Sequence, residues 1–241
     1  TREAIIVGGG PVGLAAAITL SRPPHSYAVT VLEQTEGASS VTKYDPTRSY
    51  LYNVNSRGLQ WFEQEIACAR EKLEDRSSAP EGGMPIIAYI PADPNEPIPP
   101  AKKVKLSDTV RLTNRTSYWI PRHQMLELLV ESCNEQNKEL EKTMSDDTPG
   151  SSINIIGGKA VRTITSQDDG SVSVFCNDGS IFTGSLVVAA DGIDSSIRKN
   201  LADSTAENSS WLRSKAKTFR VRRYKSPATG LYLRALQFPA N

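Results

Sequence analysis

Residues 4 to 13, Ala4-Ile5-Ile6-Val7-Gly8-Gly9-Gly10-Pro11-Val12-Gly13, constrain this chain more than any other stretch. An apolar run short enough to be a buried strand passes directly into Gly8-x-Gly10-x-x-Gly13, and an Ala-rich apolar segment follows to Leu20. That is the strand–turn–helix opening of a dinucleotide-binding βαβ unit. In such a turn Gly8 supplies the reversal, Gly10 lets backbone amides approach a pyrophosphate, and Gly13 lets helix and strand pack closely. Pro11 suits the first helical position, where its missing N–H costs nothing. From Pro11 and Val12 onward the helix N-terminus offers unpaired amides and positive partial charge to phosphates. Pro23-Pro24 stop that helix. A second apolar run, Ala28 to Leu32, ends at Glu33, 20 residues past Gly13. A carboxylate there accepts hydrogen bonds from ribose hydroxyls and disfavours a 2′-phosphate, so FAD or NAD is expected rather than NADP. A glycine-rich turn arising by chance is the competing explanation, and the strand, helix and spaced acid together weigh against it.

The 241 residues suffice for one large domain or one and a half. A net charge of +1 argues against nucleic acid as the main partner. No apolar run approaches the ~18 residues of a membrane span. Cys68, Cys133 and Cys176 are odd in number, widely spaced and lack a CxxC pair, so neither a disulfide framework nor a zinc site is expected. A reducing compartment, cytoplasmic or organellar after removal of a targeting peptide, suits that usage. His25 and His123 are the only histidines, and no metal site is expected from them. The sequence opens at Thr1, which a removed targeting peptide and a trimmed chain both explain.

Thr35 to Pro46 is polar and turn-rich, and Arg48 to Val54 alternates enough for a short strand. Ser56 is a plausible N-cap for a helix in which Leu59, Phe62, Ile66 and Ala69 recur at helical spacing. Residues 80 to 100 hold seven prolines around one apolar piece, Ile86 to Ile90, that reads as an edge strand. Tyr118 to Pro121 leads into an amphipathic helix from Arg122 with Met125, Leu126, Leu129, Val130 and Cys133 as its stripe, and 138 to 152 reads as a linker. Four short strands follow at 153–156, 161–165, 171–176 and 180–183, with turn signals Gln167 to Gly170 and Asn177 to Gly179. Leu186 to Ala190 is another buried strand, and Asp194 or Ser195 caps a short helix through Leu201.

The strand ending in Asp191-Gly192 is a second constellation, since ligands of open parallel sheets gather at the carboxyl ends of strands. The bland alternative is an ordinary Asp-Gly turn. Arg122 and Asp191 each follow a strand-like run and open a helix, so both are expected at the carboxyl edge of one sheet. Taken together, the chain resembles the class A FAD-dependent monooxygenases, the aromatic hydroxylase type, with kynurenine 3-monooxygenase-like proteins nearest. Four stretches carry the resemblance: Ile5 to Leu20 with Glu33; Arg48-Ser49-Tyr50-Leu51 with Ser56-Arg57-Gly58; Pro121-Arg122-His123-Gln124-Met125-Leu126; and Ala190 to Arg198. The resemblance implies an FAD fingerprint in the first, Arg48 and Arg57 near the flavin ring, Arg122 touching FAD, and Asp191 and Gly192 at FAD and passing NAD(P)H. It also implies that the Val161 backbone holds the adenine.

The implied fold class is α/β: a Rossmann-like FAD-binding domain with a parallel sheet and β-meander, followed by the beginning of a mixed-sheet substrate domain. The expected division is 1–75 and 118–205 for the FAD-binding domain, a Pro-rich excursion at 76–117, and a substrate-domain start at 206–241. The implied function is an oxidoreductase using FAD, NAD(P)H and O2 on a small, aromatic substrate. The sequence departs from the family twice. No Gly-Asp-Ala-type motif precedes Asn241, as expected of the N-terminal portion of a longer protein or of a truncated relative. Gly83-Met84-Pro85-Ile86-Ile87 holds no arginine where kynurenine hydroxylases bind the substrate carboxylate, and Tyr118 matches its tyrosine partner only loosely, which counts against kynurenine. The alternative class is a catalytically idle flavoprotein-like subunit of a larger complex. No catalytic acid or base can be named. Ser195 and Ser196 lack His and Asp companions, and the tryptophans 61, 119 and 211 read as core or interface. Seven basic residues between Arg213 and Lys225 read as a solvated face or a contact for an acidic partner or cofactor phosphates.

Overall fold

The computed structural model describes residues 2–36, 50–77, 85–86, 102–103, 118–143, 151–207 and 221–222. It divides into two compact units, Thr1–Ser49 with His123–Asn241, and Tyr50–Arg122.

The first unit is built on β1 (Glu3–Val7), whose residues Ala4 to Val7 are all buried. A strand buried on both faces needs an unbroken apolar run, and this one has it. It pairs in parallel with β2 (Ala28–Leu32) on one side and β11 (Leu186–Ala189) on the other, and β2 pairs with β7 (Ser152–Ile156). The order β11-β1-β2-β7 therefore places β1 and β11 side by side, although some 180 residues separate them. Helix α1 (Pro11–Ser21) crosses from β1 to β2 on the Ile6 side of the sheet, with Leu14, Ala17 and Ile18 fully buried. Ile5 and Val7 point the other way. They join Leu32, Val174, Cys176 and Ile197 in a core that Val161, Ile164 and Phe182 also line.

That second layer is an antiparallel meander of β8 (Val161–Ser166), β9 (Val172–Cys176) and β10 (Ile181–Gly184), closed by α5 (Ser196–Glu207). Its hairpins turn on Gly170 and Gly179, both at positive φ, with Asp169 and Asp178 accepting bonds from Ser171 and Ser180. Each fully buried branched side chain in these layers contributes about 1.5–3 kcal/mol. The Rossmann-like parallel sheet with a separate antiparallel sheet is the α/β class the sequence implies. The expected substrate-domain start at 206–241 lies almost wholly outside the described residues.

The second unit pairs β3 (Leu51–Val54) antiparallel with β6 (Tyr118–Pro121), carries helices α2 (Ser56–Glu65) and α3 (Ala69–Arg76), and includes the short pair β4 (Pro85–Ile86) and β5 (Lys102–Lys103). Helix α4 (Arg122–Thr143) begins at its last residue and continues in the first unit.

Several expectations are corrected here. Asn55, not Ser56, caps α2, because its Oδ1 accepts from the amides of Arg57 and Gly58. The single helix expected to carry Leu59, Phe62, Ile66 and Ala69 breaks at Ile66, whose backbone is extended, and restarts beyond Cys68, which sits at φ 52°. Of the edge strand expected at 86–90, Ile86 is strand, and 87–90 lie outside the described residues. α4 continues through Thr143, so the first part of the stretch expected as linker is helix, and α5 runs to Glu207 rather than Leu201. Arg122 and Asp191 do not share a sheet. The strand before Arg122 lies in the β3–β6 ribbon, and Pro121, with no N–H to give a ladder, suits such an edge better than a parallel interior.

Candidate functional site

The carboxyl ends of β1, β2 and β11 bring three of the sequence features together: the glycine turn, Glu33 and the Asp191-Gly192 loop. Gly8 leaves β1 at φ 107° and donates its amide to Leu32 O at 2.8 Å. A Cβ on Gly8 would lie 2.5 Å from Ala190 O and 3.2 Å from Asp191 Cα, so the first turn and the Asp-Gly loop are in direct backbone contact. A Cβ on Gly13 would lie 1.9 Å from Gly8 O. Gly10 differs from both: a Cβ there meets nothing within 4 Å. Gly8 and Gly13 are thus glycines because protein fills the space beside them, and Gly10 borders open space at the helix N-cap. With Pro11 at its start, no capping side chain and no acid in its first turn, α1 leaves its first amides unneutralised, and Val12 beside them is 70 % exposed. An anionic, phosphate-bearing group fits this cradle on charge and on space.

Glu33 is aimed at the same turn. Its Oε2 accepts from Gly9 N at 2.7 Å, and its Oε1 accepts from Thr35 N at 3.1 Å and Thr35 Oγ1 at 2.9 Å. A carboxylate offers about four acceptor positions, and three are used, leaving one for a ligand hydroxyl. Replacing Glu33 by glutamine puts an NH2 against one of these donors. The Glu33→Gln chain is expected to lose about 1–2 kcal/mol in urea unfolding, the cost of one stranded amide. An unchanged midpoint would show that the three bonds contribute nothing net.

Asp191 Oδ2 accepts weakly from Ser196 Oγ and Ile197 N, each at 3.4 Å, so the carboxylate is turned toward the start of α5. Ser195 supplies the cap, its Oγ accepting from Arg198 N at 3.0 Å. The Arg198 guanidinium holds Ile193 O, and Gly192 turns the loop at φ 84°. Val161 begins β8 at a register shift, and its carbonyl accepts from Ser196 Oγ at 3.2 Å. Ser196 therefore joins Asp191 to Val161, a role its sequence position concealed: only its place as the first residue of α5 hinted at it. Lys159, also unremarked in the sequence, donates its amide to Glu33 O and its ammonium to Asp178 at 2.5 Å. That ammonium, with Ser180, holds the Asp178 carboxyl well below the usual carboxylate range.

The arginines lie in the other unit or outside the described residues. Arg57 is exposed in the first turn of α2, and Arg122 is half-buried at the start of α4. Arg48 falls outside the described residues, as do Trp211 and, apart from the exposed Arg222, the basic segment 213–225. Beside Arg122, burial and the Tyr50 hydroxyl push the Tyr52 phenol up to about 12, against a smaller opposite pull from the guanidinium. Among the described residues no helix is long and apolar enough to cross a membrane.

Residues 6–66 match a family model described as an NAD(P)-binding Rossmann-like domain. No curated protein matches the chain. Solved structures do. The Diels-Alderase PyrE3 of pyrroindomycin biosynthesis aligns over 83 % of this chain and 34 % of its own, at 22 % identity and a TM-score of 0.54. The flavin-dependent monooxygenase PieE, solved with FAD and substrate, aligns over 83 % and 32 %, at 20 % identity and TM-score 0.54. A candidate FAD-containing monooxygenase from Photorhabdus luminescens subsp. laumondii TTO1 aligns over 83 % and 42 %, at 22 % identity and TM-score 0.50. At these identities the likeness is one of fold, and the chain spans about a third of the length of the first two.

Proposed function

We propose that this chain carries the dinucleotide-binding part of an FAD-dependent, class A monooxygenase-type oxidoreductase acting with NAD(P)H and O2 on a small aromatic substrate. The observation that carries this reading is the open face of Gly10 between Glu33 and the Asp191 loop. FAD, when bound, would accept a hydride and pass electrons to O2. The chain's own residues have simpler tasks. The amides of Gly10, Val12 and Gly13 hold the pyrophosphate beside the Pro11 ring. Glu33 takes the ribose with its remaining acceptor position. The Val161 backbone, fixed by Ser196, faces the adenine, and Asp191 and Gly192 shape the inner end of the cradle. Arg48, Arg57 and Arg122 supply positive charge, an assignment that rests on motif resemblance. The FAD-binding domain is proposed to comprise 1–75 and 118–205, with 76–117 and 206–241 belonging to the substrate side.

The fold does not by itself fix oxygen transfer, since one neighbour is a Diels-Alderase. That observation keeps a second reading in view, a flavoprotein-like domain whose role is binding or structural within a larger complex. Purified chain incubated with FAD and desalted is expected to keep a flavin absorbance spectrum. Bleaching of that spectrum by NADPH under anaerobic conditions supports the oxidoreductase, and retained flavin without bleaching supports the second reading. Colourless protein with intact secondary structure overturns both.

A further inference from the structure

Glu33 and Thr35 are held as one piece. The Glu33 amide donates to Ile156 O at 2.9 Å, and its carbonyl accepts from Lys159 N at 2.8 Å. Two residues on, Thr35 O accepts from Gly158 N at 2.9 Å. Successive amides of the β7–β8 loop thus clamp both carbonyls, and Gly158 does so at φ 73°. With its backbone fixed, Thr35 turns two donors onto one carboxylate oxygen. Its amide lies 3.1 Å and its hydroxyl 2.9 Å from Glu33 Oε1. The other oxygen, Oε2, takes the Gly9 amide at 2.7 Å.

Each carboxylate oxygen has two lone pairs. Oε1 is therefore full among the described residues, and the remaining acceptor position of Glu33 lies on Oε2, beside the glycine turn. A ribose offers two neighbouring hydroxyls, which a carboxylate open on both oxygens can take in parallel. We propose that Thr35 is a specificity-determining residue that restricts Glu33 to a single ribose hydroxyl, taken by Oε2. The Thr35 hydroxyl stands where the second ribose hydroxyl would bind. Displacing it exchanges one charge-assisted hydroxyl bond for another and gains nothing. The inference rests on dinucleotide binding at the glycine turn and deepens it, by stating how the adenosine end is read.

The test is calorimetric titration of the full 241-residue chain with ADP, 2′-deoxy-ADP and 3′-deoxy-ADP at constant ionic strength. One deoxy analogue should bind as ADP does, and the other about tenfold more weakly, the worth of one hydrogen bond to a charged group. Thr35→Val keeps the amide at position 35 and frees one acceptor position on Oε1. Both analogues should then bind about tenfold more weakly than ADP. Thr35→Ser keeps a hydroxyl and should keep the parent's one-hydroxyl pattern. Circular dichroism verifies the fold of each variant. A purely structural role for Thr35 would weaken all three ligands alike and leave their ratios as in the parent. A parent chain that penalises both analogues, or neither, overturns the proposal. So do unchanged ratios in Thr35→Val, a Thr35→Ser pattern that follows Thr35→Val, or no saturable binding of ADP. Flavin retained alongside any of these results leaves the dinucleotide reading standing, so the two fail separately.

Discussion

A chain carrying Gly10→Val is expected to fold and to bind no FAD, whereas Gly13→Ala is expected not to reach a stable fold. The two glycines stand three residues apart in one motif, and the structure separates their roles by the space each borders. The Gly13 methyl would sit 1.9 Å from Gly8 O and 3.2 Å from the Ile6 side chain. Both neighbours belong to β1 and its turn, which anchor the central strand, so relief requires moving α1 off the sheet. Overpacking against a side chain costs about 1–3 kcal/mol; against backbone at this distance the loss should be at least ~3 kcal/mol. That is a large share of the ~5–15 kcal/mol that holds a domain together. At Gly10 the backbone is extended, φ −75° and ψ 177°, a conformation valine adopts freely, and the new side chain meets no protein atom. Valine is a poorer N-cap than glycine, a cost of at most about 1 kcal/mol. The branched side chain would instead fill the volume assigned to the pyrophosphate. Thermal unfolding and flavin retention on the same pair of variants decide it. Gly10→Val with undiminished flavin sinks the cradle, and a stable Gly13→Ala sinks the packing account.

How much of this was legible beforehand follows from how local each signal is. The β1–turn–α1 unit and β2 could be read nearly to the residue, because apolar run, glycine spacing, Pro11 and the Pro23-Pro24 stop all act within a few positions of one another. The meander was legible for the same reason, from Asp-Gly turns and alternation. What escaped was set by partners distant in sequence. The split of α2 from α3 at Cys68 has no glycine or proline to announce it. The ribbon that takes the strand before Arg122 out of the parallel sheet depends on pairing across residues 54 to 118. Ser196 could be placed only once β8 lay beside α5. Asn55 and Ser56 are equally good caps on composition, and only backbone geometry selects Asn55.

The second large effect concerns the open side of β7, which has no strand neighbour beyond it among the described residues. Asn137 of α4 closes that side at one point. Its Oδ1 accepts from Ile153 N at 2.8 Å and its Nδ2 donates to Ile153 O at 2.8 Å, so the side-chain amide takes the place of a strand neighbour at that residue. Ile153 is itself buried, so water is a poor substitute for either bond. Asn137→Leu strands one donor and one acceptor together, and about 2–4 kcal/mol should be lost. An exposed strand edge also invites pairing with another chain, so the variant should aggregate on heating where the parent does not. Asn137→Asp separates the two bonds. Its carboxylate still accepts from Ile153 N but faces Ile153 O with a second lone pair, so it should be destabilised at neutral pH. Protonation restores a donor toward Ile153 O, which raises the folded-state pKa of the new carboxyl above its unfolded value. The stability this contributes is complete below the unfolded pKa and is lost as pH rises through the folded one. Asn137→Asp should therefore approach the parent's unfolding midpoint as pH falls, while Asn137→Leu stays low throughout. A parallel pH response in the two variants would show that Asn137 fills space beside β7 and does not act through its paired bonds.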